Sequence, residues 1–282
     1  MAGVPSAVLA GWAMPALNMR IWDHTYVTSS CGLKWGCWGR DGGASPPPLD
    51  AANGSSIVAD CLSQPNSQAG IVYWFTGVCH QTANRILHPA KITTFGCRGF
   101  DVSVFTWGTY GIGRWPEKAR CYGPTRTTVA ATPGGRGTMS MSEPESGNML
   151  ARKKRYHRAV SQAHSTLTDE NLIRMKELAA LVEAKLGEPL APAALASLAG
   201  IQQELRHRHA ELAQAVSGGA ITPDQCLTSF NEALGTAMEK SLALLGADRF
   251  RRIFGEQGYH PEGLVVPETF HTQATAIASR RR

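Results

Sequence analysis

Apolar positions in the N-terminal half of the chain fall in short runs. In the C-terminal half they recur every three or four residues. Ile21 to Thr28 alternates in part and is rich in Trp, Tyr, Val and Thr, which predicts a strand. Ser29-Ser30-Cys31-Gly32 predicts a turn, and Leu33 to Gly39 the returning strand of a hairpin. Asp41-Gly42-Gly43 through Pro46-Pro47-Pro48 predicts a loop, and Asn53 to Leu62 a short helix. The five apolar residues Ile71 to Phe75 predict a buried strand; Thr76-Gly77 breaks it, and Val78 to Leu87 predicts a helix stopped by Pro89. Ile92 to Phe95 and Phe100 to Trp107 predict further strands. Thr109 to Gly113 is Gly-rich, yet it carries no P-loop Lys and no helix follows it.

The second half reads as helix. Met141 to Ala163 predicts a basic helix, and Thr168 caps the next one, with Asn171 at its N3 position. That helix carries Leu172, Met175, Leu178, Ala179 and Val182 at helical spacing and ends at Gly187. Pro192 opens another, through Leu205, Leu212 and Val216 to Gly218-Gly219. Thr222 and Pro223 open a third, which ends at Gly246, and Asp248 to Phe254 forms a short last helix. The tail from Tyr259 to Arg282, with Pro261 and Pro267, reads as extended and able to drape over a neighbour. The fold class is therefore α+β: antiparallel strands around one marked helix, followed by an all-α bundle or hairpin. The layout is a first domain over 1–131, a flexible linker over 132–140 (Pro133-Gly134-Gly135-Arg136-Gly137), a helical domain over 141–258 and a tail over 259–282.

Composition sharpens that division. All seven Trp precede residue 116, and six of the seven Cys lie within 1–140. The formal charge is +6, concentrated only in Arg152-Lys153-Lys154-Arg155-Tyr156-His157-Arg158, which reads as a solvated helix face. No recognition motif accompanies it, so nucleic acid is not an expected partner. Met1 to Leu17 lacks a basic n-region and is broken by Pro5 and Pro15, so neither a signal peptide nor a membrane anchor is expected. A cytoplasmic protein with reduced thiols follows from that.

The candidate chemistry lies at Cys79. A cysteine in the first turn of a helix sits among unpaired backbone N–H groups at the positive end of the helix dipole. Both favour the thiolate, and the same N–H groups can hold an oxyanion. His24, on a strand, is the candidate base. His80 points about 100° away from Cys79 around the helix axis, and His88 lies two and a half turns on, so neither is placed to take the thiol proton. Asp23 neighbours His24 but points to the opposite face of the strand. Asp41 and Asp50 are candidate orienting groups, Trp38 a candidate wall of the site, and Gln81 and Asn84 candidate substrate contacts.

A histidine strand, a second strand, then a cysteine opening a helix resembles the circularly permuted papain-like superfamily. The branch it resembles is the one that includes lecithin–retinol acyltransferase-like proteins. The resemblance covers residues 20–110. It implies a papain-like antiparallel sheet with a nucleophile helix, and a thiol hydrolase or acyl/peptidyl transferase acting on an amide, ester or thioester. No polar third residue stands on the second strand, where Cys37 and Trp38 sit. Residues 168–256 resemble Spy/CpxP-like helical-hairpin proteins.

The rival reading is a non-enzymatic binding or scaffold protein whose helical domain meets a partner or a metal and whose cysteines are structural. The chain has no C-x-x-C pair, and His207 and His209 diverge on a helix. No metal and no cofactor are expected. The expected partners are a peptide or acyl substrate and a second copy of the chain through the helical domain.

Overall fold

The computed structural model describes residues 6–16, 19–37, 48–62, 68–113 and 169–279. The linker 132–140, the basic helix 141–163, the cap Thr168, and Trp38 and Asp41 lie outside them.

The described chain is mixed α/β and mostly helical, with one four-stranded antiparallel sheet and eight α-helices. The strands are β1 (Ala7–Ala16), β2 (Met19–Ser29), β3 (Lys34–Trp35) and β4 (Asp50–Gly54), in the order β3-β2-β1-β4. The hairpin expected over residues 21–39 is present as β2 and a short β3. Ser29 closes its turn by donating from its amide to Leu33 O at 2.9 Å, while its hydroxyl accepts from the Leu33 amide at 3.2 Å. Gly32 supplies the left-handed backbone there, at φ +86°. Helix α1 (Ser56–Leu62) follows β4.

Helix α2 (Cys79–Leu87) packs on this sheet. Its apolar face, Ala83, Ile86 and Leu87, joins Leu9, Tyr26, Val27 and Ala52 in one cluster. The approach is close: a Cβ on Gly11 would stand 2.9 Å from Leu87 Cδ1. The opposite face carries Gln81, Asn84 and Arg85, which share a stripe at i, i+3 and i+4 and are also buried.

The strand expected over Ile71–Phe75 is instead a tight loop, touching sheet geometry only at an isolated bridge between Tyr73 and Gly77. Thr76 Oγ1 accepts the Val72 amide at 2.8 Å, the Trp74 amide donates to Gly77 O at 2.8 Å, and Trp74 takes a left-handed backbone at φ +65°. No strand forms over residues 92–95. Phe100–Trp107, also expected as a strand, is helix α3. All eight of its residues are buried, so no polar stripe marks its period.

The helical half follows its sequence signals. Helix α4 (Asp169–Leu186) stops before Gly187, and α5 (Pro192–Ser217) begins at its proline. Helix α6 (Pro223–Leu245) opens on a capping box: Thr222 Oγ1 accepts the Gln225 amide at 3.2 Å, and Gln225 Oε1 accepts the Thr222 amide at 2.9 Å. Helix α7 (Ala247–Phe254) ends at Gly255. The tail is not extended. It makes 3₁₀ turns over Glu256–Tyr259 and Pro261–Leu264, then helix α8 (Pro267–Ser279), whose Phe270 and Ala274 are buried. Pro267 occupies the first helical position, where a missing N–H costs nothing.

One hydrophobic cluster runs from Trp22, Trp74, Phe105 and Trp107 of the first half through Leu178, Leu205, Phe230, Phe254 and Phe270 of the second. The two halves share a core. No helix among the described residues is long and apolar enough to cross a membrane.

Candidate functional site

The site is built on an uncovered sheet edge. β3 pairs with β2 only at Val27 and Thr28, so β3 leaves the outer edge of β2 from Asp23 to Thr25 uncovered. The start of α2 and the segment before α3 occupy that edge. The Asp23 amide donates to Arg98 O at 3.1 Å, His80 Nε2 lies 3.2 Å from Asp23 O, and the Thr25 backbone hydrogen-bonds the Cys79 sulfur. His24 stands between these two edge residues, and its side chain hydrogen-bonds Cys79.

Cys79 is the first residue of α2. The residues from His80 to Leu87 are all buried, whereas Cys79 and His24 both keep partial exposure. The first intrahelical bond runs from the Thr82 amide to Val78 O at 3.1 Å. The amides of Cys79, His80 and Gln81 therefore have no intrahelical acceptor.

The electrostatics follow from these neighbours. Burial pushes the Cys79 thiol up. The charge of His80, the hydrogen bond and charge of His24, and the Thr25 backbone outweigh burial and bring it down to about 6. The thiolate is then the main form at neutral pH. Cys31, Cys97 and Cys226 are free as well. Burial, the neighbouring Cys79 and the carboxylates of Asp23 and Asp101 hold the Cys97 thiol well above its ordinary value. Burial pushes Cys226 up to about 12. Cys31 is exposed, and hydrogen bonds from Ser29 and Ser56 lower it.

The remaining sequence candidates fall elsewhere. Asp23 forms an ion pair with Arg98 at 2.7 Å and also accepts the Arg98 amide at 2.8 Å, as its place on the opposite strand face requires. Asp50 pairs with Gly11 across β1, whereas His24 pairs with Met14 on the other side of the same strand. Three residues along and two strands across separate their Cα atoms by about 14 Å, so Asp50 does not orient the imidazole. Its carboxylate accepts the Ala51 amide at 2.8 Å, and burial raises its pKa. Gln81 and Asn84, the candidate substrate contacts, are both fully buried and hydrogen-bonded within the protein. Gln81 donates to Gly108 O and Ser103 Oγ at 3.1 Å and accepts the Val78 amide at 3.0 Å. Asn84 donates to Thr109 O at 2.7 Å and accepts from Thr94. With Arg85, which donates to Tyr110 O at 2.6 Å and Ala69 O at 3.0 Å, they hold the Gly-rich 108–112 segment against α2. That segment is a structural brace.

No family model matches this sequence, and the comparisons with curated proteins and with solved structures find no match either. The functional reading therefore rests on the site itself.

His80 is the residue that sequence reasoning set aside. Its charge is the strongest influence lowering the thiol. The one signal for it was adjacency to the cysteine, since its partners Ser103 and Asp23 are distant in sequence. His207 and His209 diverge as expected. His207 is exposed beside Glu211, while His209 is buried among Trp74, Trp107 and Phe230. Among the described residues no group of three His, Cys, Asp or Glu could hold a metal ion.

Proposed function

We propose that the protein is a thiol-dependent hydrolase or acyl/peptidyl transferase, with Cys79 as nucleophile and His24 as base. The observation that carries this is the hydrogen bond from His24 to a partly exposed thiol at a helix N-terminus. His24 takes the Cys79 proton, and the thiolate attacks the carbonyl of an amide, ester or thioester. The first-turn amides of Cys79 and His80 receive the oxyanion. His24 returns the proton to the leaving group, which departs and leaves an acyl-thioester on Cys79. Water or a second nucleophile, deprotonated by His24, then releases the acyl group.

The element order, histidine strand before cysteine helix, favours the circularly permuted papain-like reading. The working unit is a dyad. The helices of the second half support the dyad indirectly, by packing on Trp74 in the loop that leads into Cys79.

Full-length protein incubated with peptide and thioester mixtures and quenched in acid should gain acyl mass on Cys79. Cys79→Ala should gain none, and His24→Ala should acylate at least about a hundredfold more slowly. His24→Ala acylating as fast as wild type would exclude His24 as the base.

A further inference from the structure

His24 stands where the ladder of β2 gives out on both sides. Toward β1 the register holds through the pairs of His24 with Met14 and Asp23 with Pro15, then slips. Toward β3 the pairing reaches only Val27 and Thr28. Asp23, the residue before the base, makes other anchors. Its amide donates to Arg98 O at 3.1 Å, and its Oδ2 accepts the Arg98 amide at 2.8 Å. Its Oδ1 accepts from Arg98 Nε at 2.9 Å and from Nη2 at 2.7 Å. Its backbone oxygen accepts from His80 Nε2 at 3.2 Å, which fixes the peptide plane between Asp23 and His24.

The other end of this clamp is itself fixed. Arg98 lies in a turn closed by the Cys97 amide on Thr94 O and the Phe100 amide on Cys97 O, both at 3.2 Å. Phe100 opens α3 and is buried. The Arg98 side chain is 40% exposed, and an ion pair with so exposed a partner contributes little stability. Four bonds converging on the residue next to the base set a geometry instead. The backbone is held before His24 by Arg98 and His80, and after it by the bond of Thr25 to the Cys79 sulfur.

We propose that Asp23 and Arg98 are positioning residues: their clamp holds the β2 edge so that the His24 ring reaches the Cys79 sulfur. The inference rests on the reading of Cys79 and His24 as a working pair. The clamp acts through the backbone, where a third side chain would act on the ring.

The test follows iodoacetamide alkylation of Cys79 in the full chain with Cys31→Ser. Arg98→Met leaves the Asp23 anion, and Asp23→Asn leaves the Arg98 cation. Charge alone would therefore move the thiol in opposite directions, whereas lost positioning moves both variants the same way. Both should alkylate about threefold more slowly than wild type at pH 6, the equivalent of about half a pKa unit. At pH 8.5, where the thiolate is complete, they should match it. Neither should slow the reaction further in a His24→Ala background. With an acyl substrate both should lower kcat about tenfold and leave KM unchanged. Should Arg98→Met not fold, Arg98→Lys takes its place, and for it charge alone would change nothing. Opposite shifts in the two variants, wild-type alkylation at pH 6, or equal slowing with and without His24 overturns the proposal. The expected alkylation pattern in a protein that never acylates Cys79 keeps this inference and removes the hydrolase. Acylation of Cys79 by clamp variants that match wild type in alkylation and kcat does the reverse.

Discussion

His209 of α5 donates from Nε2 to the backbone oxygen of Trp74 at 2.9 Å, and the two rings lie 4.5 Å apart. This bond joins the helical half to the loop that leads into Cys79. Trp74 also meets Phe230 edge-on at 5.4 Å and Phe270 at 4.8 Å. The loop that delivers the nucleophile is thus packed from outside by three separate helices.

That packing makes the helical half dependent on the first. A fragment of residues 141–282 should show helical circular dichroism but lack a cooperative melt, because Trp74, Phe105 and Trp107 are missing from its core. In the full chain, Trp74→Ala should cost about 4 kcal/mol in denaturant unfolding. A fragment melting as sharply and at the same temperature as the full chain would show that the helices are self-sufficient.

His209 also sets an acid limit on stability. Burial lowers its pKa to about 4, so the folded state holds it neutral where the unfolded chain protonates it. For a base shifted down in this way, stability is full above the unfolded value near 6.5. It falls as pH drops from there toward 4, by about 3 kcal/mol in all. Asp50 and Asp101, raised by burial, act in the opposite sense as the pH falls, so the informative quantity is a difference. Between pH 7 and pH 4.5 the wild type should lose more stability than His209→Gln. Parallel pH profiles for the two proteins would mean that His209 does not titrate across this range.

The sequence revealed most where local chemistry decides structure. Thr222 with Gln225, Pro192, Gly187 and Gly246 are start and stop signals that act within one turn, and the helices of the second half sit where they indicate. Phe100–Trp107 misled because its β-branched and aromatic residues favour strands, while burial on all sides removed the period that would mark a helix. Ile71–Phe75 misled because its apolar side chains serve a loop closed by Thr76 and a left-handed Trp74. β1, mostly small residues around Gly11, has no strand pattern of its own and forms by pairing on both sides. Cys79 and His24 were legible from a helix start and a strand. What makes the thiol acidic was not, since the partners of His80 come from β2 and α3.

The thiols should separate by chemistry. Cys79 alkylation by iodoacetamide should rise with pH around a midpoint near 6, because the thiolate reacts and is lost as pH falls through its folded value. Cys31 is exposed and also lowered, so it should label alongside and needs replacing by Ser before kinetics are read. Cys97 and Cys226 should stay unlabelled until the chain unfolds. In Cys31→Ser, labelling of Cys97 ahead of Cys79, shown by peptide mass, would contradict this order.

The brace on the far side of α2 separates support from chemistry. Asn84→Ala removes the partner of Thr109 O and of the buried Thr94 amide, and should destabilise by about 2 kcal/mol. Arg85→Met strips donors from the carbonyls of Tyr110 and Ala69, and should cost about 3 kcal/mol. Neither side chain faces Cys79, so in the folded variants the alkylation midpoint of the thiol should stay near 6. Denaturant titration and pH-dependent alkylation of the same samples give both quantities. Should Asn84→Ala keep wild-type stability and yet lose acylation, Asn84 would be a substrate contact, and the 108–112 segment would belong to the substrate site.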